Sequence, residues 1–256
     1  MVGSATRAAE LLPDTDKTYE ATFQLGLRTD TQDIWGNVQQ QMPFAVSAQQ
    51  LEQACIPLRG DIMQIPPMMS AIRQNGVRLY DLARQGIEVE RAARPITIRE
   101  LTVLDFSTEN GTGLLRVQCS KGTYIRTLIA DIGEALGCGA VMTGLRRTSA
   151  CGFTLADAIS LDEARVRAEN GTLSECVRAT ESLFFVWPTV KVTENQAVRF
   201  QNGGALAAER LRLPAKPTEG TLFRVKHPNN RFLGLGIYHA ESDELAIRRL
   251  FPEEEK

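Results

Sequence analysis

Residues Leu114–Leu136 read LLRVQCSKGTYIRTLIADIGEAL, and the pattern of apolar residues changes halfway along. Leu114–Ser120 reads as a strand. Over Tyr124–Leu136 the apolar residues Ile125, Leu128, Ile129, Ile132 and Leu136 recur at helical spacing, and Gly137 and Gly139 end the helix. A polar turn holding Lys121, Gly122 and Tyr124 joins the two, with Arg126 just inside the helix. That geometry can present Arg126 beside a substrate pocket. Taken alone, the same arginine would be an ordinary surface cation.

Upstream, Arg94–Phe106 reads as a second strand, joined to the first across the glycine-rich turn Glu109–Gly113. Thr18–Leu27 alternates apolar and polar residues like a half-buried strand. Thr29–Gly36 (TDTQDIWG) is rich in turn-formers, and Asn37–Met42 reads as the returning strand. Ser47 is a plausible N-cap for a helix over Ala48–Cys55. Pro66–Pro67 excludes a helix interior from Gly60–Ser70. Val77–Gln85 is amphipathic, with Leu79, Leu82 and Ala83 on one side and Gly86 as its stop. Downstream, Ala140–Arg147 carries two adjacent arginines and Gly152–Leu155 begins a short extended piece. Leu161–Glu169 reads as a helix with Asp162 and Glu163 favourably in its first turn. From Trp187 onward, short β-like runs (Val190–Thr193, Leu222–Val225, Phe232–Tyr238, Leu245–Leu250) alternate with turns. This is the pattern of a small, separate all-β module. The boundary is expected near Phe184–Pro188, and the acidic tail Pro252–Lys256 is expected to fray.

Composition narrows the chemistry. Of 256 residues, 43% are hydrophobic and 23% charged, which excludes general disorder and leaves room for a sizeable core. No apolar run approaches the roughly 18–20 residues that span a bilayer, and no secretory signal is visible at the start. The five cysteines are dispersed and never spaced C-x-x-C, as expected of reduced thiols in a cytoplasmic protein. His227 and His239 lie far from any cysteine or acidic cluster, so neither a zinc site nor a histidine-based nucleophile is supported. The formal charge of −2 conceals a gradient. Residues 71–100 hold six arginines against four acids, and residues 116–147 hold five basic residues against two acids. From counts alone such segments read first as a solvated mixed surface; the functional alternative is a groove for phosphates, because the planar guanidinium bonds phosphate oxygens and stacks on bases.

Several segments, in order, resemble the pseudouridine synthases of the TruB type. These are DTDKTY (14–19), LGLRTDTQDIWG (25–36), QIPPMMSAIRQNGVRLYDLARQ (64–85), ARPITI (93–98), CSKGTYIR (119–126) and GAVMTGLRRT (139–148). Each is weak singly; together they are specific and run nearly end to end. The resemblance implies an α+β fold: a mixed, largely antiparallel sheet core with flanking helices and a thumb insertion at about 64–95. Residues 1–186 would form the catalytic domain and 187–256 a PUA-like RNA-binding module. The implied activity is isomerisation of uridine 55 to pseudouridine in the tRNA T loop, after the base is flipped from its stack. Tyr19 would stack on the target uracil, Arg126 would pair with the catalytic carboxylate, and Leu145 would cap the pocket. Arg73, Arg78, Arg84, Lys121 and Tyr124 would contact RNA. No metal or organic cofactor is implied. The expected partner is the tRNA T stem-loop, with no membrane, for a cytoplasmic monomer.

The family's catalytic aspartate lies in a G-x-L-D-P-x-A-x-G segment that residues 1–256 do not contain. Gly3–Arg7 (GSATR) looks like the sequence that follows that loop, so the nucleophile is expected upstream of Met1, with Met1–Val2 fitting the strand before it. Asp14, Asp16, Asp30 and Asp33 match other family positions and are poor substitutes, since catalytic groups need sub-ångström placement. The chain as written is therefore expected to be N-terminally truncated and inactive, with Arg126 a charge lacking its partner. The alternative is a non-catalytic tRNA-binding chaperone.

Overall fold

A computed structural model describes residues 3–13, 15–214 and 216–251. The expectations for Met1–Val2, Asp14 and Pro252–Lys256 lie outside the described residues. Contacts group the chain into two compact units, one spanning 15–158 and the other combining the residues before 15 with those from 159 onward.

The 15–158 unit is built on β1 (Lys17–Leu25), β2 (Leu27–Thr29), β3 (Val38–Gln41), α1 (Ala48–Cys55), β4 (Gly60–Gln64), β5 (Arg73–Gln74), β6 (Val77–Arg78), α2 (Leu79–Arg84), β7 (Arg94–Phe106), β8 (Thr112–Cys119), α3 (Ile125–Ala135), β9 (Ala140–Ala150) and β10 (Phe153–Thr154). Six strands form one sheet in the order β10-β9-β1-β8-β7-β4, antiparallel at every step. Alternation in β1 buries Ala21, Phe23 and Leu25. The apolar stripe of α3 (Ile125, Leu128, Ile129, Ile132) closes over that face to make the core. The fold is thus α+β, as the sequence implies. Ser47 caps α1 with Gln50 in a reciprocal capping box, satisfying two backbone donors.

Two local expectations need correction. The helix foreseen over Val77–Gln85 is shorter, because Val77–Arg78 pairs with Arg73–Gln74 as a hairpin and α2 begins only at Leu79. The cause is Asn75–Gly76, both left-handed (φ 51° and 82°), which is the two-residue hairpin signal. Ala140–Arg147, given no element from its sequence, lies within the eleven-residue strand β9.

In the other unit, α4 (Leu161–Glu169) precedes β11 (Thr189–Lys191), α5 (Glu194–Gln201), β12 (Leu206–Ala207), β13 (Leu222–Lys226), β14 (Phe232–His239) and β15 (Glu244–Leu250). The strands form a sheet ordered β11-β13-β14-β15-β12, with β11 parallel to β13. The module expected to be all-β therefore contains a helix. Thr193 and Gln196 form a capping box, and Ala197 and Phe200 bury one face of α5. Contacts divide the chain at 158/159, and within the second unit Ala8 and Leu11 pack with Phe184, Leu235 and Phe251. Among the described residues no helix is long and apolar enough to cross a membrane.

Candidate active site

The turn between β2 and β3 explains its own sequence. Thr29 Oγ1 donates to the Asp33 carbonyl at 2.8 Å and Thr31 Oγ1 to Asp33 Oδ1 at 2.9 Å. The Trp35 N–H donates to the same Oδ1 at 3.1 Å. Asp30 accepts from the backbone and side-chain nitrogens of Asn37, both at 2.8 Å. A Cβ on Gly36 would lie 2.2 Å from Thr31 Oγ1 and 2.5 Å from Asp30 Oδ1, so only glycine fits inside this network. T-D-T-x-D-x-x-G is thus a self-bonded loop that holds one carboxylate, Asp33, in a fixed direction.

The loop is docked on both sides. Met142 of β9 donates its N–H to the Gln32 carbonyl at 3.1 Å and accepts from the Ile34 N–H at 2.9 Å. Thr127 of α3, buried, donates to Gln32 Oε1 at 2.7 Å. This aims Asp33 at α3, where its Oδ2 lies 3.3 Å from Arg126 Nη1. The other Arg126 nitrogen, Nη2, donates to the Met69 carbonyl. The two side chains are only 21% and 17% exposed, enough shielding to strengthen the pair while keeping the arginine edge accessible. Arg126 is therefore not a charge without a partner: Asp33, read from sequence as part of an ordinary turn, supplies the carboxylate.

Gln64 is a second residue whose role is hidden in sequence. Buried, it donates through Nε2 to the Tyr124 carbonyl at 3.1 Å and accepts the Tyr124 N–H at 2.9 Å. It thereby fixes the residue that starts α3. From Gln64 the chain leaves the sheet and returns at Arg94, its direct partner in the β4–β7 ladder. Arg91 Nη1 closes the base of this insertion by donating to the Pro66 carbonyl at 3.2 Å.

Tyr19 lies on β1 opposite Val117 and Arg147, packed at the edge of the core. The Arg147 guanidinium sits 5.7 Å from its ring centroid. Burial pushes the Tyr19 phenol above its ordinary value, partly offset by Arg147, so the ring is neutral at pH 7. Leu145 pairs with Ala21, two residues along, and is 47% exposed. Tyr19, Leu145 and Arg147 thus share one face, where β8 passes into the turn leading to α3. Arg147, noted in the sequence only as one of two adjacent arginines, is the one that the β1–β9 pairing sets opposite Tyr19. Arg73, Arg78 and Arg84 belong instead to the β5–β6 hairpin and α2, where Arg78 and Arg84 flank the Tyr80 ring at 5.6 and 5.3 Å. Lys121 is exposed in the turn before α3. Among the described residues no three His, Cys, Asp or Glu side chains are grouped to hold a metal ion.

α3 also carries a misplaced charge. Burial first, then Glu134, pushes the Asp131 carboxyl from 3.8 up to about 6. A raised acid favours the protonated fold, so its stability contribution is complete below pH 3.8 and is lost as pH rises through about 6. Asp131→Asn should therefore raise the urea midpoint at pH 8 and leave it nearly unchanged at pH 4. Equal shifts at both pH values would show that burial of the charge is not the cause.

Two family models match the chain: "TruB family pseudouridylate synthase (N terminal domain)" over residues 1–125 and "tRNA pseudouridylate synthase B C-terminal domain" over 126–184. The tRNA pseudouridine synthase B of Pseudomonas fluorescens (strain Pf0-1) is 43% identical over 255 residues, covering 98% of this chain and 81% of that protein. The protein of the same name from Pseudomonas aeruginosa (strain UCBPP-PA14) is 41% identical over 251 residues, covering 97% of this chain and 80% of that protein. Among solved structures, a Cbf5-Nop10-Gar1 complex contains a chain of the same fold (TM-score 0.68, 24% identity, 98% of this chain and 70% of that one). An H/ACA RNP bound to a substrate RNA containing 2'-deoxyuridine contains another (TM-score 0.64, 21% identity, 98% and 71%).

Proposed function

The chain belongs to the TruB family of pseudouridylate synthases, which are isomerases, and on that premise we propose that its substrate is the T stem-loop of tRNA, at uridine 55. The observation that carries this reading is Arg126, clamped between the Asp33 carboxylate and the Met69 carbonyl at the start of α3. Isomerisation breaks the N1–C1′ glycosidic bond, turns the uracil and forms a C5–C1′ bond; a proton leaves C5 and one is gained at N1. Nothing is oxidised or reduced and no co-reactant is consumed. Such chemistry needs a flipped base held flat and a carboxylate held ionised. Tyr19 offers the flat neutral ring, Leu145 an apolar wall, and Arg126 the cation that orients a carboxylate through charge-assisted bonds. Asp33 acts as a positioning residue: three donors already occupy it, and its role is to hold Arg126.

Arg73, Arg78 and Arg84, on the insertion spanning about 64–95, are the proposed phosphate contacts, with Lys121 and Tyr124 beside the site. The Arg78–Tyr80–Arg84 stack supports this by holding two cations on one rigid ring. Residues 187–256 are proposed as a PUA-like RNA-binding module, and the working form as a cytoplasmic monomer.

The test is a titration of the purified chain with a T-arm RNA hairpin, combined with an assay for pseudouridine. Tight binding is expected, with log K falling by about 0.7–0.9 per phosphate contact for each log unit of salt. No product is expected from residues 1–256 alone, since the G-x-L-D-P segment is not among them. Product at a family rate would move the nucleophile to one of the chain's own aspartates. Failure to bind the hairpin would overturn the substrate assignment.

A further inference from the structure

We infer that Trp35 is a stacking platform for a second, unpaired nucleobase of the RNA, beside the base that enters the site; this rests on the RNA reading above. Trp35 is 90% exposed, so its indole adds almost nothing to folding. A polar side chain at this position would cost the turn nothing, because the turn is held by Thr29, Asp30, Thr31 and Asp33 and by the backbone of residue 35. The ring therefore needs an explanation other than packing.

Its location supplies one. The Trp35 N–H and the Arg126 guanidinium bind the two oxygens of the same Asp33 carboxylate, at 3.1 Å and 3.3 Å. One carboxyl group thus separates the indole's backbone from the candidate active-site cation. The support is rigid, with Gln32 and Ile34 locked to Met142 and Gln32 also bonded to Thr127. Ile34 and Val38, close to it in sequence, are also exposed, at 41% and 58%. An exposed aromatic side chain on a rigid turn that also holds an arginine suits a nucleobase, because every base has a π-face and stacking needs no matching donors or acceptors. The nearby acids repel RNA less than their number suggests, since Asp30 is bonded to Asn37 and Asp33 to Thr31, Trp35 and Arg126.

The experiment measures the affinity of a fluorescent T-arm hairpin for wild type, Trp35→Ala and Trp35→Phe over a range of salt. Stacking on one base predicts a loss of about 5- to 140-fold for Trp35→Ala, from the usual worth of such contacts. Trp35→Phe should keep most of the affinity, and the salt slope should match wild type because no phosphate contact is lost. In a Trp187→Phe background Trp35 is the sole indole, and its emission should be quenched by the hairpin. Binding of Trp35→Ala within twofold of wild type overturns the inference while leaving the RNA reading intact. A Trp35-dependent self-association with unchanged RNA affinity also overturns it, by making the patch a protein contact. If wild type does not bind the hairpin, both readings fall together.

Discussion

Arg126→Ala is expected to lower pseudouridine formation by about 10²–10³-fold, the usual cost of removing a preorganised donor that acts on reacting charge. The measurement uses a chimera carrying the family's aspartate segment ahead of Gly3, with a T-arm hairpin as substrate. The loss should fall on kcat rather than KM, because a group that orients the carboxylate matters to the chemical step more than to binding. Arg126→Lys should rescue little: a lysine keeps the charge but cannot span both Asp33 Oδ2 and the Met69 carbonyl as the planar fork does. Folding should suffer far less than activity. Asp33 keeps its bonds from Thr31 and the Trp35 N–H when the arginine is removed, so the cost is about 1–2 kcal/mol. A urea midpoint that collapses along with activity would make Arg126 a structural residue and remove the reason for assigning it to the site.

This pair also marks the limit of what the sequence reveals. The turn at Thr29–Gly36 is legible because its residues bond within eight positions of one another, and local bonds leave a local signature. The strand-to-helix passage at 114–136 is legible for the same reason, as periodicity. That Asp33 meets Arg126, 93 positions away, is not written in either segment. It follows from Met142 on β9 accepting the turn, and β9 itself is missed because its residues 143–150 are only half-buried or exposed and show no clean alternation. Gln64 is hidden similarly: a buried amide bonded to the backbone of Tyr124 looks, in sequence, like any polar residue before a proline pair. The helix α5 is missed because its eight residues bury only Ala197 and Phe200, too weak a stripe to stand out among short β-like runs. Resemblance identifies Arg126 and Tyr19 as candidates; only packing shows which groups hold them.

The largest effect on stability is expected at Gly133. Its place inside α3 suggests that alanine should be stabilising by about 0.8–1 kcal/mol from helix propensity alone. The surroundings reverse the sign. A Cβ there would lie 2.1 Å from the Ala140 backbone nitrogen and 2.3 Å from the Gly139 carbonyl carbon, neither of which is a flexible side chain. The chain folds back over this point as it leaves α3, donating to the Gly133 carbonyl from Cys138 at 3.2 Å and Gly139 at 2.9 Å before entering β9. A side chain would pry α3, which carries Arg126, from β9, which carries Leu145 and Arg147. Gly133→Ala is expected to cost about 4 kcal/mol or more and Gly133→Val to prevent folding, as over-packing against fixed backbone does. Gly137→Ala is the control: it has a left-handed φ of 73° but nothing within 4 Å of a Cβ, so only about 1 kcal/mol should be lost. Urea unfolding of the two alanine variants decides the matter. If Gly133→Ala is as stable as wild type, the close approach of α3 to β9 is wrong. The placement of α3 on β9, and with it that of Arg126, would then lose its physical basis.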